Sequence, residues 1–149
     1  MKILFATAGE KEGTAAIKML ERFNLGEGDE IRVISVIDMA IPMSVDIYGG
    51  YLPDTVELEQ TAKDNATKIL EQTAANLREH FGETGVNIST DMLFGSPESR
   101  IVEAADEMKP NLVVVGSHGY KAWERFLLGS VSDSVLHHVP CSVLVVKCQ

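Results

Sequence analysis

Residues 112–132 read LVVVGSHGYKAWERFLLGSVS, a buried strand that runs into a glycine-containing loop and then into a helix beginning near Ser130. Gly116 and Gly119 lack a Cβ atom, so the backbone at these positions can approach a ligand closely. Residues 129–132 place unpaired N–H groups and two hydroxyls at the positive end of the helix. This arrangement predicts an anion site suited to phosphates.

This stretch is not one of the two commonest phosphate-binding loops. A P-loop needs Gly-Lys followed by Ser or Thr after four intervening residues, and residues 116–132 contain no such triplet. A dinucleotide-binding fingerprint needs Gly-x-Gly-x-x-Gly after the first strand, where residues 8–13 read AGEKEG. Taken alone, a tight turn followed by a helix cap explains the glycines equally well.

The rest of the chain alternates short apolar runs with segments of helical periodicity. Alternation of this kind predicts a parallel sheet covered on both faces, so we expect one α/β domain over residues 1–149. Ligands of such sheets bind at the carboxyl ends of the strands. Strands are predicted over residues 2–7, 30–37, 86–93, 111–115 and 141–147, and helices over residues 14–23, 54–81, 97–109 and 130–138.

Residues 39–53 form the longest predicted connection that precedes the glycine loop. They contain two prolines, two tyrosines and Gly49-Gly50, and their apolar residues do not repeat at the spacing of a helix or a strand. A connection of this length suggests a functional role.

The composition argues against several classes of partner. The formal net charge is −9 and the Lys and Arg residues are scattered singly, so the sequence lacks the basic stripe that nucleic-acid binding needs. No segment approaches the ~20 consecutive apolar residues that span a bilayer. Polar residues follow the first apolar run too soon for a signal peptide. We therefore expect a cytoplasmic protein that binds neither nucleic acid nor membranes.

The cysteines and histidines do not predict a metal site or a disulfide. Cys141 and Cys148 lie at the two ends of one predicted strand, with side chains on opposite faces, so both are expected to be reduced thiols. Two cysteines without a matching pair disfavour a structural zinc site. His137 and His138 are consecutive on a helix and point about 100° apart, which suits a helix end better than one metal ion.

Residues 113–119, 127–132 and 139–146 together resemble the ATP-binding branch of the universal stress protein family. Their Gly-x2-Gly-x9-Gly-Ser spacing matches that family's pattern without a gap, and the resemblance extends in element order over the whole chain. It implies an open five-stranded parallel sheet of order 3-2-1-4-5 with helices on both faces, a Rossmann-like, adenine nucleotide alpha hydrolase-like fold. It also implies ATP with Mg²⁺ as the ligand, a homodimer joined through Cys141 to Lys147, and a role as a stress-response sensor or regulator.

The resemblance also assigns the site residues. It places adenosine between the ends of the first and second strands, with the Val36 backbone facing adenine, and the phosphates on the loop after the fourth strand. The candidate nucleotide-binding residues are Ala6, Thr7, Ala8, Val36, Gly116, Ser117, His118, Gly119, Gly129, Ser130, Val131 and Ser132.

Other residues of the glycine loop allow more than one interpretation. Ser117 and His118 are adjacent but have no orienting acid, so a Ser-His hydrolase is disfavoured and at most slow ATPase activity is expected. Lys121 and Arg125 can contact phosphates or remain solvated. Trp123 most simply fastens the loop to the domain.

One position departs from the family pattern. Ala8 stands where ATP-binding members usually carry the aspartate that bonds the ribose. Losing one charged hydrogen bond costs about 1.5–3 kcal/mol, or roughly ten- to a hundredfold in affinity, unless Glu10 or Asp38 substitutes. The alternative function is therefore an interaction module of the same type with a degenerate pocket that no longer binds nucleotide, in which residues 39–53 contact a partner.

Overall fold

The computed structural model of the chain describes residues 1–38, 55–117 and 128–147. The described strands form one parallel sheet, in which the strands numbered in chain order lie as 3-2-1-4-5, and this confirms the predicted order. The elements are β1 (Lys2–Ala6), α1 (Glu10–Leu20), β2 (Glu30–Ile37), α2 (Thr55–Phe81), β3 (Asn87–Phe94), α3 (Pro97–Met108), β4 (Leu112–Gly116), α4 (Ser130–His138) and β5 (Ser142–Val146), with a short 3-10 turn over Gly82–Thr84.

Two apolar layers hold the helices against the sheet. Helices α1 and α2 cover one face, and α3 and α4 cover the other. Successive strand residues point to opposite faces, so Ile3 and Phe5 of β1 pack under α1 and α2, whereas Leu4 between them packs under α3. The central strands are therefore apolar on both faces, as buried parallel strands must be.

The predicted start of the first helix at Thr14 is wrong. Helix α1 begins four residues earlier, at Glu10, with Gly9 as its N-cap. Its first turn is polar, with Glu10 and Glu12 favourably placed at the positive end of the helix. No apolar period marks such a turn, so the sequence signal starts only where the helix becomes amphipathic.

Gly13 lies inside α1 because this helix passes close to α2. A Cβ atom at Gly13 would lie 3.3 Å from Oγ1 of Thr73 and 3.6 Å from Oγ1 of Thr7. Both threonines are buried, so neither side chain has open space to move into. The missing side chain therefore sets the distance between the two helices.

We expect Gly13→Val to lower the free energy of unfolding by about 1–3 kcal/mol, because a larger side chain overpacks this contact. Urea unfolding followed by circular dichroism measures the change. Gly82→Val is the matched control, since a Cβ atom at Gly82 would have no neighbour within 4 Å. Equal losses in the two variants would contradict the close-packing argument.

Candidate nucleotide-binding site

A cavity of about 480 Å³ opens at the carboxyl ends of the strands. This is the edge of the sheet at which parallel α/β proteins bind their ligands, and the volume lies within the range of small-molecule pockets. The ends of β1, β2 and β4 form its floor, and helices α2 and α3 supply side walls. The lining residues are Ala6, Thr7, Ala8, Glu12, Ile34, Ser35, Val36, Ile37, Asp38, Ala62, Asn65, Ala66, Ile69, Pro97, Ile101, Val115, Gly116 and Val131.

The end of β1 delivers three consecutive candidate residues to this cavity. The backbone N–H of Thr7 donates to the Ile34 carbonyl at 2.9 Å, so pairing with β2 continues one residue beyond β1. The Thr7 side chain is buried, and its hydroxyl donates to the Gly9 carbonyl at 3.3 Å. Ala8 is exposed at the cavity. Thr7 therefore fixes the turn, while Ala8 presents no polar side-chain group to a ligand.

Among the described residues, the backbone amides of the first three residues of α4 have no hydrogen-bond acceptor. Its N-cap, Gly129, makes no side-chain cap hydrogen bond. The amide of Asp133 donates to the Gly129 carbonyl at 2.9 Å and closes the first turn. An α-helix has no internal acceptor for the three amides before it, those of Ser130, Val131 and Ser132. These donors carry the positive end of the helix dipole.

Backbone bonds hold this helix start against the end of β4. The Gly129 amide donates to the Ser117 carbonyl at 2.9 Å, and the Ser117 amide donates to the Val146 carbonyl of β5 at 2.8 Å. Val131 lines the cavity beside Gly116. The open amides therefore begin at the β4 side of the cavity.

The sequence suggested that the Ser132 hydroxyl takes part in the anion site, but the structure gives this hydroxyl a different role. Its side chain is 1% exposed. Its Oγ donates to the Gly129 carbonyl at 3.0 Å, with the Ser117 carbonyl at 3.4 Å. The hydroxyl is therefore engaged inside the protein and fastens the helix start, which leaves the backbone amide of Ser132 as its contribution to an anion site.

The acids around the cavity are arranged differently from the sequence-based expectation. Glu10 does not line the cavity, because its carboxylate accepts a hydrogen bond from Nε2 of Gln72 on α2 at 2.9 Å. Asp38, at the end of β2, does line it. So does Glu12, which the sequence did not single out because the helix start was placed after it. The acidic residues that line the cavity are therefore Glu12 and Asp38.

The structure brings most of the candidate residues to one edge of the sheet. Ala6, Thr7, Ala8, Val36, Gly116 and Val131 line the cavity, and Ser117, Gly129, Ser130 and Ser132 form the adjoining helix start. His118, Gly119, Lys121, Trp123 and Arg125 lie outside the described residues, as do residues 39–54 and Cys148. The wall contributed by α2 was missed, because nothing in its sequence distinguishes a cavity-lining turn from a core-facing one.

The side chains that could bind a metal ion or react are those of His, Cys, Asp and Glu. Within residues 1–38, 55–117 and 128–147, no group of three His, Cys, Asp or Glu side chains is placed to hold a metal ion. Nδ1 of His137 lies 2.8 Å from the Asp133 carbonyl, and Nδ1 of His138 lies 2.7 Å from the Ser134 carbonyl. Cys141 is a free, half-buried cysteine, and burial raises the pKa of its thiol. None of the described helices has the length and apolarity needed to cross a bilayer.

Comparisons with known proteins agree with this architecture. The universal stress protein family model matches residues 1–147. A universal stress protein of Methanocaldococcus jannaschii is 31% identical over 146 residues, which cover 98% of this chain and 81% of that protein. The solved structure of a second protein from that organism has a TM-score of 0.73 at 24% identity, covering 99% of this chain and 96% of the other.

A further solved structure is that of a universal stress protein family protein from Arabidopsis thaliana with AMP bound. Its TM-score is 0.64 at 20% identity, covering 100% of this chain and 92% of the other. At that identity the likeness shows a shared fold. The family assignment depends instead on the family model and on the 31% identical relative. The chain described here belongs to the universal stress protein family.

Proposed function

We propose that this protein binds an adenine nucleotide, ATP with Mg²⁺, at the carboxyl edge of its sheet and acts as a nucleotide-dependent sensor or regulator. The observation that carries the proposal is one cavity whose lining extends from apolar residues of β2 to Gly116 and to Val131 in the first turn of α4. A nucleotide has the matching polarity, with an apolar base at one end and an anionic chain at the other.

The base occupies the side of the cavity between β2 and α2. Ile37 of β2 lines the cavity there together with Ala66 and Ile69 of α2, which makes a mainly apolar slot. Burying a flat ring in such a slot removes apolar surface from water at about 25 cal/mol per Å². Backbone groups at Val36 supply the polar contacts that select adenine.

The phosphates lie at the start of α4. Its three uncapped amides donate to phosphate oxygens, and the helix dipole favours the negative charge. Each charge-assisted hydrogen bond of this kind contributes about 1.5–3 kcal/mol. Bound Mg²⁺ neutralises part of the charge of the phosphate chain, which matters in a protein whose net charge is −9. The AMP complex of the Arabidopsis relative supports the choice of an adenine nucleotide.

Mass spectrometry of the freshly purified protein, after denaturation, distinguishes this function from the alternative. An adenine nucleotide in stoichiometric amount supports the proposal. The alternative, an interaction module with a degenerate pocket, is favoured by one observation: Ala8 offers no carboxylate at the cavity. It predicts neither retained nucleotide nor heat when ATP and Mg²⁺ are titrated at millimolar concentration.

We further propose that two copies pair through β5 to form a homodimer. The side chains of this edge strand alternate between the two apolar layers, and most are only half-buried. The Val146 carbonyl points toward β4, where it accepts from Ser117. Because the backbone alternates, the N–H and C=O groups of Val143 and Val145 point away from β4, toward the open edge. An unpaired apolar edge invites pairing with another strand.

We expect Val143→Pro to shift the protein from dimer to monomer, because proline removes an outward donor from this edge. Proline is tolerated where the lost N–H faces out of the sheet, so the fold should persist. Val143→Thr is the matched control, since threonine keeps both the amide and the β-branched shape. Multi-angle light scattering measures the molar mass of each protein in solution. A wild-type mass near 16.3 kDa at micromolar concentration would contradict the dimer.

A further inference from the structure

We infer that Glu12 is the residue by which the site recognises the ribose, through its paired hydroxyls. The inference rests on the proposed adenine-nucleotide function and adds to it a specificity-determining carboxylate outside the sequence motif. It also gives a physical reason why the site can retain ribose binding with alanine at position 8.

The Glu12 carboxylate is drawn back over the turn that follows β1. A Cβ atom at Gly9 would lie 2.7 Å from Oε2 of Glu12, so this carboxylate occupies the space that a side chain at Gly9 would need. Helical side chains lean toward the N-terminus of their helix, so Glu12 in the first turn of α1 reaches back toward the N-cap Gly9, and both Ala8 and Glu12 line the cavity. The carboxylate therefore reaches the cavity beside the alanine.

Glu12 is available to a ligand in a way that neighbouring acids are not. It lines the cavity and is half-buried, and its carboxylate makes no hydrogen bond or ion pair within the part of the chain that the structure describes. Glu10 is bonded to Gln72, and Asp38 has an interaction of its own. A half-buried carboxylate facing a cavity accepts hydrogen bonds only, so a ligand group that satisfies it must present donors.

Strand order identifies the donors as ribose hydroxyls. β1 is the middle strand, with β2 on one side and β4 on the other. In the proposed site the base lies toward β2 and the phosphates toward α4, which follows β4. The sugar that joins them therefore lies over the end of β1, where Glu12 projects. Two adjacent hydroxyls on one sugar face match the two oxygens of one carboxylate.

Nucleotide titrations with ATP and 2′-deoxy-ATP, each with Mg²⁺, test this assignment by calorimetry. We expect Glu12→Ala to weaken ATP binding roughly ten- to a hundredfold, the effect of one charged hydrogen-bonding group. The wild type should prefer ATP over 2′-deoxy-ATP, and Glu12→Ala should bring the two affinities together. Glu10→Ala is the matched control and should bind both nucleotides as the wild type does.

Gly9→Ala provides a second test that leaves the carboxylate chemically intact. The backbone at Gly9 is extended, with φ −167° and ψ 163°, which any residue adopts. The new methyl group displaces only the flexible end of Glu12, so the preference for ATP should be lost. Alanine is a poorer N-cap than glycine, so we expect a loss of no more than about 1 kcal/mol in the free energy of unfolding.

Three results separate the inference from the function on which it rests. A wild type that binds no adenine nucleotide overturns both. A wild type that binds ATP, with Glu12→Ala and Gly9→Ala equal to it in affinity and in sugar preference, overturns the role of Glu12 alone. Loss of sugar preference in both variants, with Glu10→Ala unchanged, supports the inference.

Discussion

Replacing Gly129 with valine should weaken ATP binding roughly ten- to a hundredfold or more, because at least one charge-assisted hydrogen bond to the phosphates is lost. Gly129 is the N-cap of α4 and adjoins the three open amides. A branched side chain at this position covers the approach to the amides of Ser130 and Val131.

The fold should survive this substitution. Gly129 has φ −64° and ψ 156°, a conformation that valine adopts readily. Its amide still donates to the Ser117 carbonyl, and its carbonyl still accepts from Asp133. Valine is a poorer N-cap than glycine, so we expect a loss of about 1 kcal/mol in the free energy of unfolding.

Calorimetric titration of the wild type, Gly129→Val and Gly82→Val measures the effect. Gly82→Val makes the same chemical change at an exposed glycine in the 3-10 turn after α2. It should bind ATP as the wild type does. Equal ATP affinity in all three proteins would remove the start of α4 from the site.

The largest expected effect on stability is that of Leu77→Ala, which should lower the free energy of unfolding by about 2–5 kcal/mol. Leu77 of α2 is 0% exposed and packs with residues of β1, β2 and α1. The deletion removes apolar contacts and leaves a cavity that rigid neighbouring strands cannot fill. Because α2 also forms a wall of the ligand cavity, we expect nucleotide affinity to fall as well.

Urea unfolding of Leu77→Ala beside Leu58→Ala tests this prediction. Leu58 lies on the same helix and is 52% exposed, so its loss should change the free energy of unfolding by no more than about 0.5 kcal/mol. A small loss in Leu77→Ala would mean that α2 is not anchored to the sheet as described.

The sheet was predictable from local patterns, because buried parallel strands are short, apolar and separated by helices. β2 and α4 begin and end at the predicted residues, Glu30–Ile37 and Ser130–His138. The sheet order depended on a resemblance that spans the whole chain, since no local property of a strand determines which neighbour it pairs with.

The candidate site was less predictable, because it depends on contacts between distant segments. The sequence motif indicated Gly129 and Val131, and the structure places both at or beside the cavity. Nothing local indicated that Asn65 and Ile69 of α2 line the same cavity. Glu12 was missed for a different reason: a polar first turn of α1 has no apolar period, so its position on a helix was not recognised.

The central claim is that open backbone amides at the start of α4 bind the phosphates of an adenine nucleotide. Its most direct test is an NMR titration of ¹⁵N-labelled wild-type protein with ATP and Mg²⁺, followed at the amides of residues 129–132. The account predicts large, saturable shifts of these amides at or below millimolar ATP. Unchanged amide signals at saturating nucleotide, or shifts confined to other regions of the protein, would contradict it.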